Sequence, residues 1–303
     1  MKVPLIIAVF IISSISINAQ KKGTYYSLVE AFKNPEKVYI LDLTGQYDLT
    51  GKKLTILPEN IGKFTNLTEL YLGENQLTSL PKSLTTLTDL QSLDLNSNLF
   101  TSVPKSINKL SNLTSLDLSS NQLTSLPSFI GNLTKLEYLD LNSNNLTDLP
   151  KSIGKLENLL DFRVAFNDLA TIPQSIGQLS KLSWLKLNSN ELTNLPESIG
   201  QLKMLDLLDV QFNQLISIPE SIGNLSKLSM LKLNSNQLTE LPESIGKLKR
   251  LFWLDLTHNK LTSLPNSIKD LERLDSILLR QNQFNSIEKD NAMNLLPLCH
   301  VEF

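Results

Sequence analysis

The sequence predicts an α/β solenoid: a curved stack of short coils, with a parallel sheet on the concave side and short helical turns or irregular segments on the convex side. Three observations predict it. First, residues 228–248, LSMLKLNSNQLTELPESIGKL, return 23 residues earlier as LDLLDVQFNQLISIPESIGNL and 23 later as LFWLDLTHNKLTSLPNSIKDL; a period in the twenties marks a repeat architecture. Second, one Asn recurs at that spacing ten times: Asn75, Asn98, Asn121, Asn144, Asn167, Asn190, Asn213, Asn236, Asn259 and Asn282. Third, Leu231-Lys232-Leu233 alternates, as do its equivalents, which is the mark of a strand with one buried face.

Each part of a coil has a physical reason. After the strand the chain must turn, and buried backbone groups left unpaired there cost about 1–3 kcal/mol each. An inward Asn offers two donors and an acceptor, so a stacked Asn column can satisfy those groups coil after coil. Pro242 fixes the backbone where the return leg begins, and only a short helical turn fits before Leu248. Gly246 and its equivalents suggest a close approach of neighbouring coils. One coil cannot bury its own apolar face, so stacking supplies the core.

The LxxLxLxxNxL pattern followed by LPxxIGxL carries a family resemblance. Residues 67–285 resemble leucine-rich repeat proteins of the LPxxIGxL subtype, which occurs in plant and animal intracellular proteins and in secreted bacterial ones. The resemblance implies a leucine-rich repeat horseshoe and binding rather than catalysis. The motif describes the scaffold, so it brings no functional residue with it.

Residues 1–19, MKVPLIIAVFIISSISINA, have the layout of a secretory signal peptide: Lys2, an apolar core from Leu5 to Ile12, and a small Ala19. The stretch is too short and too soon polar for a spanning helix, so the mature chain is expected to carry no transmembrane segment. Residues 20–37 read as an N-terminal helical cap, with Tyr25, Leu28, Val29 and Phe32 on one face and Asn34-Pro35 as its stop. Residues 38–285 form the repeats, one degenerate coil with extra residues within TGQYDLTGKK and then ten regular ones. Residues 286–303 form a C-terminal cap, a helix broken at Pro297 and a last strand with Cys299, Val301 and Phe303 alternating inward. Cys299 is the single cysteine, which excludes an internal disulfide. Animal extracellular leucine-rich repeat proteins usually carry Cys-rich caps, and that departure, with the Ala19-Gln20 junction, favours an exported bacterial protein, secreted or held at the cell surface.

The chain has 303 residues, 41% hydrophobic and 19% charged, with a formal charge of −2. That balance leaves no footprint for nucleic acid or an anionic membrane. No HExxH, CxxC, GxSxG or Walker-type run exists, so neither catalysis nor a cofactor is expected.

What varies is the outward side of the strands. One column reads Tyr138, Asp161, Trp184, Leu207, Met230 and Trp253, and the parallel column reads Arg163, Lys186, Asp209, Lys232 and Asp255. Trp184 and Trp253 alternate with core leucines, so both point outward, and a contiguous apolar patch rich in Trp marks an interaction site. Tyr138, Arg163, Trp184, Lys186, Leu207, Asp209, Met230, Lys232, Trp253 and Asp255 are therefore the expected partner-binding surface, for a protein or glycan ligand. The alternating charges are expected to neutralise one another along the sheet. Phe166 and Phe212, each just before a ladder Asn, read as loop packing. Asp94, Asp117 and Asp140 fall in one column about 4.8 Å apart, where a hard cation such as calcium could bridge them beside Asn96 and Asn142. Two other function classes stay open: an envelope structural or adhesive protein, and a regulator of an intracellular signalling protein. The oligomeric state and the partner's identity are not legible.

Overall fold

A computed structural model describes residues 23–46 and 53–303. The expected signal peptide and the residues 47–52 of the first-coil insertion lie outside the described residues. The chain divides into two units, residues 1–123 and 124–303.

In the first unit, strands β1 (Thr24–Tyr25), β2 (Ile40–Asp42), β3 (Glu69–Tyr71), β4 (Ser92–Asp94) and β5 (Ser115–Asp117) pair in parallel, each with the next. Each strand from β2 onward is one coil's inner leg, and its central Leu is buried. The return legs carry five-residue 3-10 turns, Glu59–Lys63, Lys82–Thr86 and Lys105–Lys109. Each follows a proline, whose fixed φ sets the backbone for the turn.

The N-terminal cap departs from expectation. The helix α1 spans only Leu28–Ala31, and Tyr25 lies on strand β1, paired with Leu41. The edge of the first coil presents unpaired backbone groups, and two extended residues satisfy them where a longer helix would not. Leu28 and Ala31 still bury against the coil, and Phe32 stacks on Phe64 with ring centroids 4.8 Å apart.

In the second unit, strands β6 (Tyr138–Asp140), β7 (Asp161–Arg163), β8 (Trp184–Lys186), β9 (Leu207–Asp209), β10 (Met230–Lys232), β11 (Trp253–Asp255), β12 (Ser276–Leu278) and β13 (His300–Glu302) pair in the same way, with no slip of register. Helix α2 (Ser286–Leu295) closes this unit; the Asn285 side chain caps it by accepting from Glu288 N at 2.9 Å. Leu231, Leu233, Leu238, Ile245 and Leu248 are fully buried, each contributing about 1.5–3 kcal/mol.

The Asn column works as the sequence argued. Asn213 Nδ2 donates to the carbonyls of Leu187, Val210 and Gln211 at 3.0, 3.1 and 3.2 Å, and its Oδ1 accepts from Leu192 N at 2.9 Å. One side chain thus ties its own turn to the preceding coil. In the first unit Asn98 repeats this with Leu72, Leu95, Asn96 and Leu77. Asn75 breaks the pattern: its buried Oδ1 has no partner among the described residues. The amide that would serve it, Leu54 N, donates instead to Gln46 O at 3.1 Å, a consequence of the longer first coil.

The glycines of the return leg answer to close approach. A Cβ on Gly177 would stand 2.5 Å from the Ser198 carbonyl oxygen of the next coil, a distance only a backbone shift would relieve.

Candidate functional site

The open face of the second unit's sheet is built by register. Trp184 pairs with Leu207, Leu207 with Met230, and Met230 with Trp253. Since strand side chains alternate, their neighbours Leu185, Leu208, Leu231 and Leu254 point into the core and are fully buried. Four successive strands therefore place large apolar groups in one row on the other face.

The four are not equally exposed. Trp184 is 42% accessible, whereas Leu207 is only 9% accessible; Met230 and Trp253 are half-buried. Leu207 is sunk between its taller neighbours and forms the floor of the row. Asp161 separates this row from Tyr138, so Tyr138 is not continuous with it.

Tyr138 belongs to a polar cluster. Its hydroxyl donates to Asp140 Oδ2 at 2.9 Å. The Arg163 guanidinium lies 5.0 Å from its ring centroid, donates from Nη2 to Asp161 at 2.7 Å, and approaches Asp140 at 3.8 Å. Burial pushes the Asp140 carboxyl above its usual range, opposed by the Asn142 amide, Tyr138 and Arg163. The Asp161 hydrogen bond holds the Arg163 guanidinium still more firmly protonated.

The second column does not neutralise itself evenly, as the alternating signs suggested. Lys232 leans on Asp209, Nζ to Oδ2 3.7 Å, and Gln211 Nε2 also donates to that oxygen at 3.1 Å. Asp209 is buried, and burial raises its pKa against the pull of Lys232 and Lys186. Among the described residues Lys186 and Asp255 form no ion pair; Asp255 Oδ1 accepts from Thr257 N at 3.0 Å. The reason is geometric: a lysine between two aspartates reaches one of them, and the outermost charges are left over.

Phe166 and Phe212 do not pack within their loops. They are 59% and 53% exposed and hold φ of 55° and 53°. In every regular coil the residue before the ladder Asn is left-handed, most often a Ser, and a bulky side chain is disfavoured there. The sequence showed the substitution but not the strain.

Asp94 and Asp117 pair in register in the first unit. Asp94 Oδ1 accepts from Asn96 N and Nδ2 at 2.8 and 2.7 Å, and Asp117 Oδ1 accepts from Ser119 N and Oγ at 2.8 and 2.6 Å. Asp140, in the second unit, is held as described. Among the described residues no group of three or more His, Cys, Asp or Glu side chains is placed to hold a metal ion. Cys299 is half-buried beside β13, and burial near Asp275 pushes its thiol up to about 11, which leaves it a protonated packing group at neutral pH.

A leucine-rich repeat region model matches residues 99–185, 120–210 and 172–237, and a second leucine-rich repeat model matches residues 65–123 and 226–284. The chain is a leucine-rich repeat protein. A leucine-rich repeat protein of Leptospira interrogans is 30% identical, with a TM-score of 0.65, over 94% of this chain and 100% of that one. The Arabidopsis receptor kinase HAESA, solved with the peptide hormone IDA and the co-receptor SERK1, is 33% identical with a TM-score of 0.68 over 81% of this chain and 42% of its own. The plant peptide hormone receptor RGFR1, solved with RGF2, is 30% identical with a TM-score of 0.67 over 86% of this chain and 46% of its own. The chain thus spans less than half the length of either receptor chain. No curated protein matches it at a significant level. Among the described residues no helix is long and apolar enough to cross a membrane.

Proposed function

We propose that this leucine-rich repeat protein is an exported, secreted or surface-held module that binds a protein or peptide partner through the open face of its second unit. The observation that carries the reading is the in-register row Trp184, Leu207, Met230 and Trp253. A contiguous apolar row on an uncovered sheet face, with an exposed Trp, is the kind of surface a partner desolvates. The peptide complexes of two structural relatives support a peptide or protein ligand. The layout of residues 1–19 supports export.

The test compares mature protein with a Trp184→Ala, Trp253→Ala variant in affinity capture from the producing cell's culture and envelope fractions. The wild type retains a partner that the variant loses, each Trp being worth about 2 kcal/mol or more of affinity. A partner held equally by both proteins overturns the assignment to this row. Intact-mass analysis of the exported chain, expected to begin at Gln20, tests the export reading separately.

A further inference from the structure

Among the described residues, the two charges of this column that form no ion pair stand at the two ends of the apolar row. Lys186 follows Trp184 by two residues on the same face of β8, and Asp255 follows Trp253 by two on the same face of β11. The inner pair, Asp209 and Lys232, is spent on itself at 3.7 Å. The face therefore presents an ammonium beside one Trp, a carboxylate beside the other, and Leu207 and Met230 between. From the proposed partner-binding reading, on which this rests, we infer that the ligand is an extended peptide segment carrying one acidic and one basic side chain four residues apart, with an apolar side chain midway.

The spacing follows from strand geometry. β8 and β11 are three strand steps apart, about 14 Å at about 4.8 Å per step. An extended peptide crossing the strands advances about 3.4 Å per residue, so four residues cover the same distance. Side chains alternate faces in an extended chain, so residues i, i+2 and i+4 all face the sheet. The acidic one meets Lys186 beside Trp184, the central one meets Leu207 and Met230, and the basic one meets Asp255 beside Trp253. Arg163, tied to Asp161 at 2.7 Å, does not compete for the acidic group. A segment laid in the same chain direction with its charges exchanged puts like charges together at both ends, so for a given direction the face discriminates by repulsion as well as attraction.

The test is a random twelve-residue peptide display library selected on the wild type, on Trp184→Ala with Trp253→Ala, and on Lys186→Glu with Asp255→Lys. The expected result is enrichment on the wild type of sequences with opposite charges four residues apart and an apolar residue between them. A synthetic peptide of that sequence then binds the charge-reversed variant about tenfold more weakly, and its charge-exchanged counterpart binds that variant better than the wild type. Lys186→Gln with Asp255→Asn, which keeps side-chain shape, is expected to bind both peptides alike and so separates charge recognition from any change in folding. Peptides that depend on the two Trp but show no charge spacing, or that ignore the reversal, overturn this inference and leave the apolar row as the binding site. No enrichment on the wild type overturns this inference, and the capture comparison with the Trp184→Ala, Trp253→Ala variant decides the partner-binding reading separately.

Discussion

Asp209 and Lys232 face each other on neighbouring strands of the second unit, carboxylate to ammonium 3.7 Å, with the carboxylate buried on the face where solvent was expected. The pair stabilises little in itself, because taking a carboxylate out of water costs much of what the attraction returns. Burial is the larger influence and raises the Asp209 pKa despite the two lysines. A carboxyl whose pKa is higher folded than unfolded destabilises the fold above its folded pKa; stability is recovered as the pH falls from there to its unfolded pKa, near 4. Asp209→Asn therefore melts no earlier than the wild type at pH 7, and any advantage of the variant closes as the pH falls toward 4. Lys232→Met, which strands the carboxylate, melts earlier at pH 7. Thermal melts across that pH range check all three; an Asp209→Asn variant that melts well below the wild type at pH 7 contradicts the direction.

Asn213 carries one link of the ladder on four hydrogen bonds. Asn213→Ala leaves the Leu192 amide without its acceptor, while the Leu187 carbonyl keeps the bond from Asn190 Nδ2 at 3.0 Å. One unsatisfied buried donor costs about 1–3 kcal/mol, so the variant is expected to lose about 2 kcal/mol of stability by denaturant unfolding. The same change at Asn282, which is less buried, costs less.

The ladder, the strand register and the return-leg turns were legible because each repeats; ten copies of one Asn leave no ambiguity about what it does. What lay outside the repeat was harder. Tyr25 kept a helical spacing with Leu28 and Phe32, yet an unpaired strand edge, invisible in sequence, drew it into β1. Asn285 and Glu288 did carry a readable signal, the spacing of a helix cap. On the open face, sequence placed Trp184 and Trp253 outward but could not show that Leu207 would sink between its neighbours. Nor could it show which aspartate Lys232 would choose, because that depends on side-chain reach rather than on residue order.

Phe166 holds a left-handed backbone with its ring 59% exposed. A non-glycine residue in that region gives up about 1–2 kcal/mol, and Asn tolerates it better. Phe166→Asn is expected to raise stability by up to about 1 kcal/mol, seen as a higher denaturant midpoint with an unchanged slope. A fall in the midpoint would mean that the exposed ring contributes packing that outweighs the strain.

Leu207 and Trp184 are in register on adjacent strands of one face, and they part company in burial, at 9% and 42% accessible. Truncating a buried Leu loses its transfer free energy and leaves a cavity, typically about 2–5 kcal/mol. Here the cavity opens toward solvent on a sheet face, so the low end applies, about 2 kcal/mol. Trp184 keeps much of its surface in water, and its truncation removes less buried area. Leu207→Ala is therefore expected to lower the melting temperature clearly, and Trp184→Ala to lower it little while weakening partner binding. Melts of the two single variants and of the double variant check the split. Because the residues are paired in register, the double variant should also show non-additivity: once Trp184 is gone, Leu207 is already partly exposed, and losing it costs less than in the wild type. A larger stability loss from Trp184→Ala than from Leu207→Ala would make the Trp a structural strut instead of a binding surface.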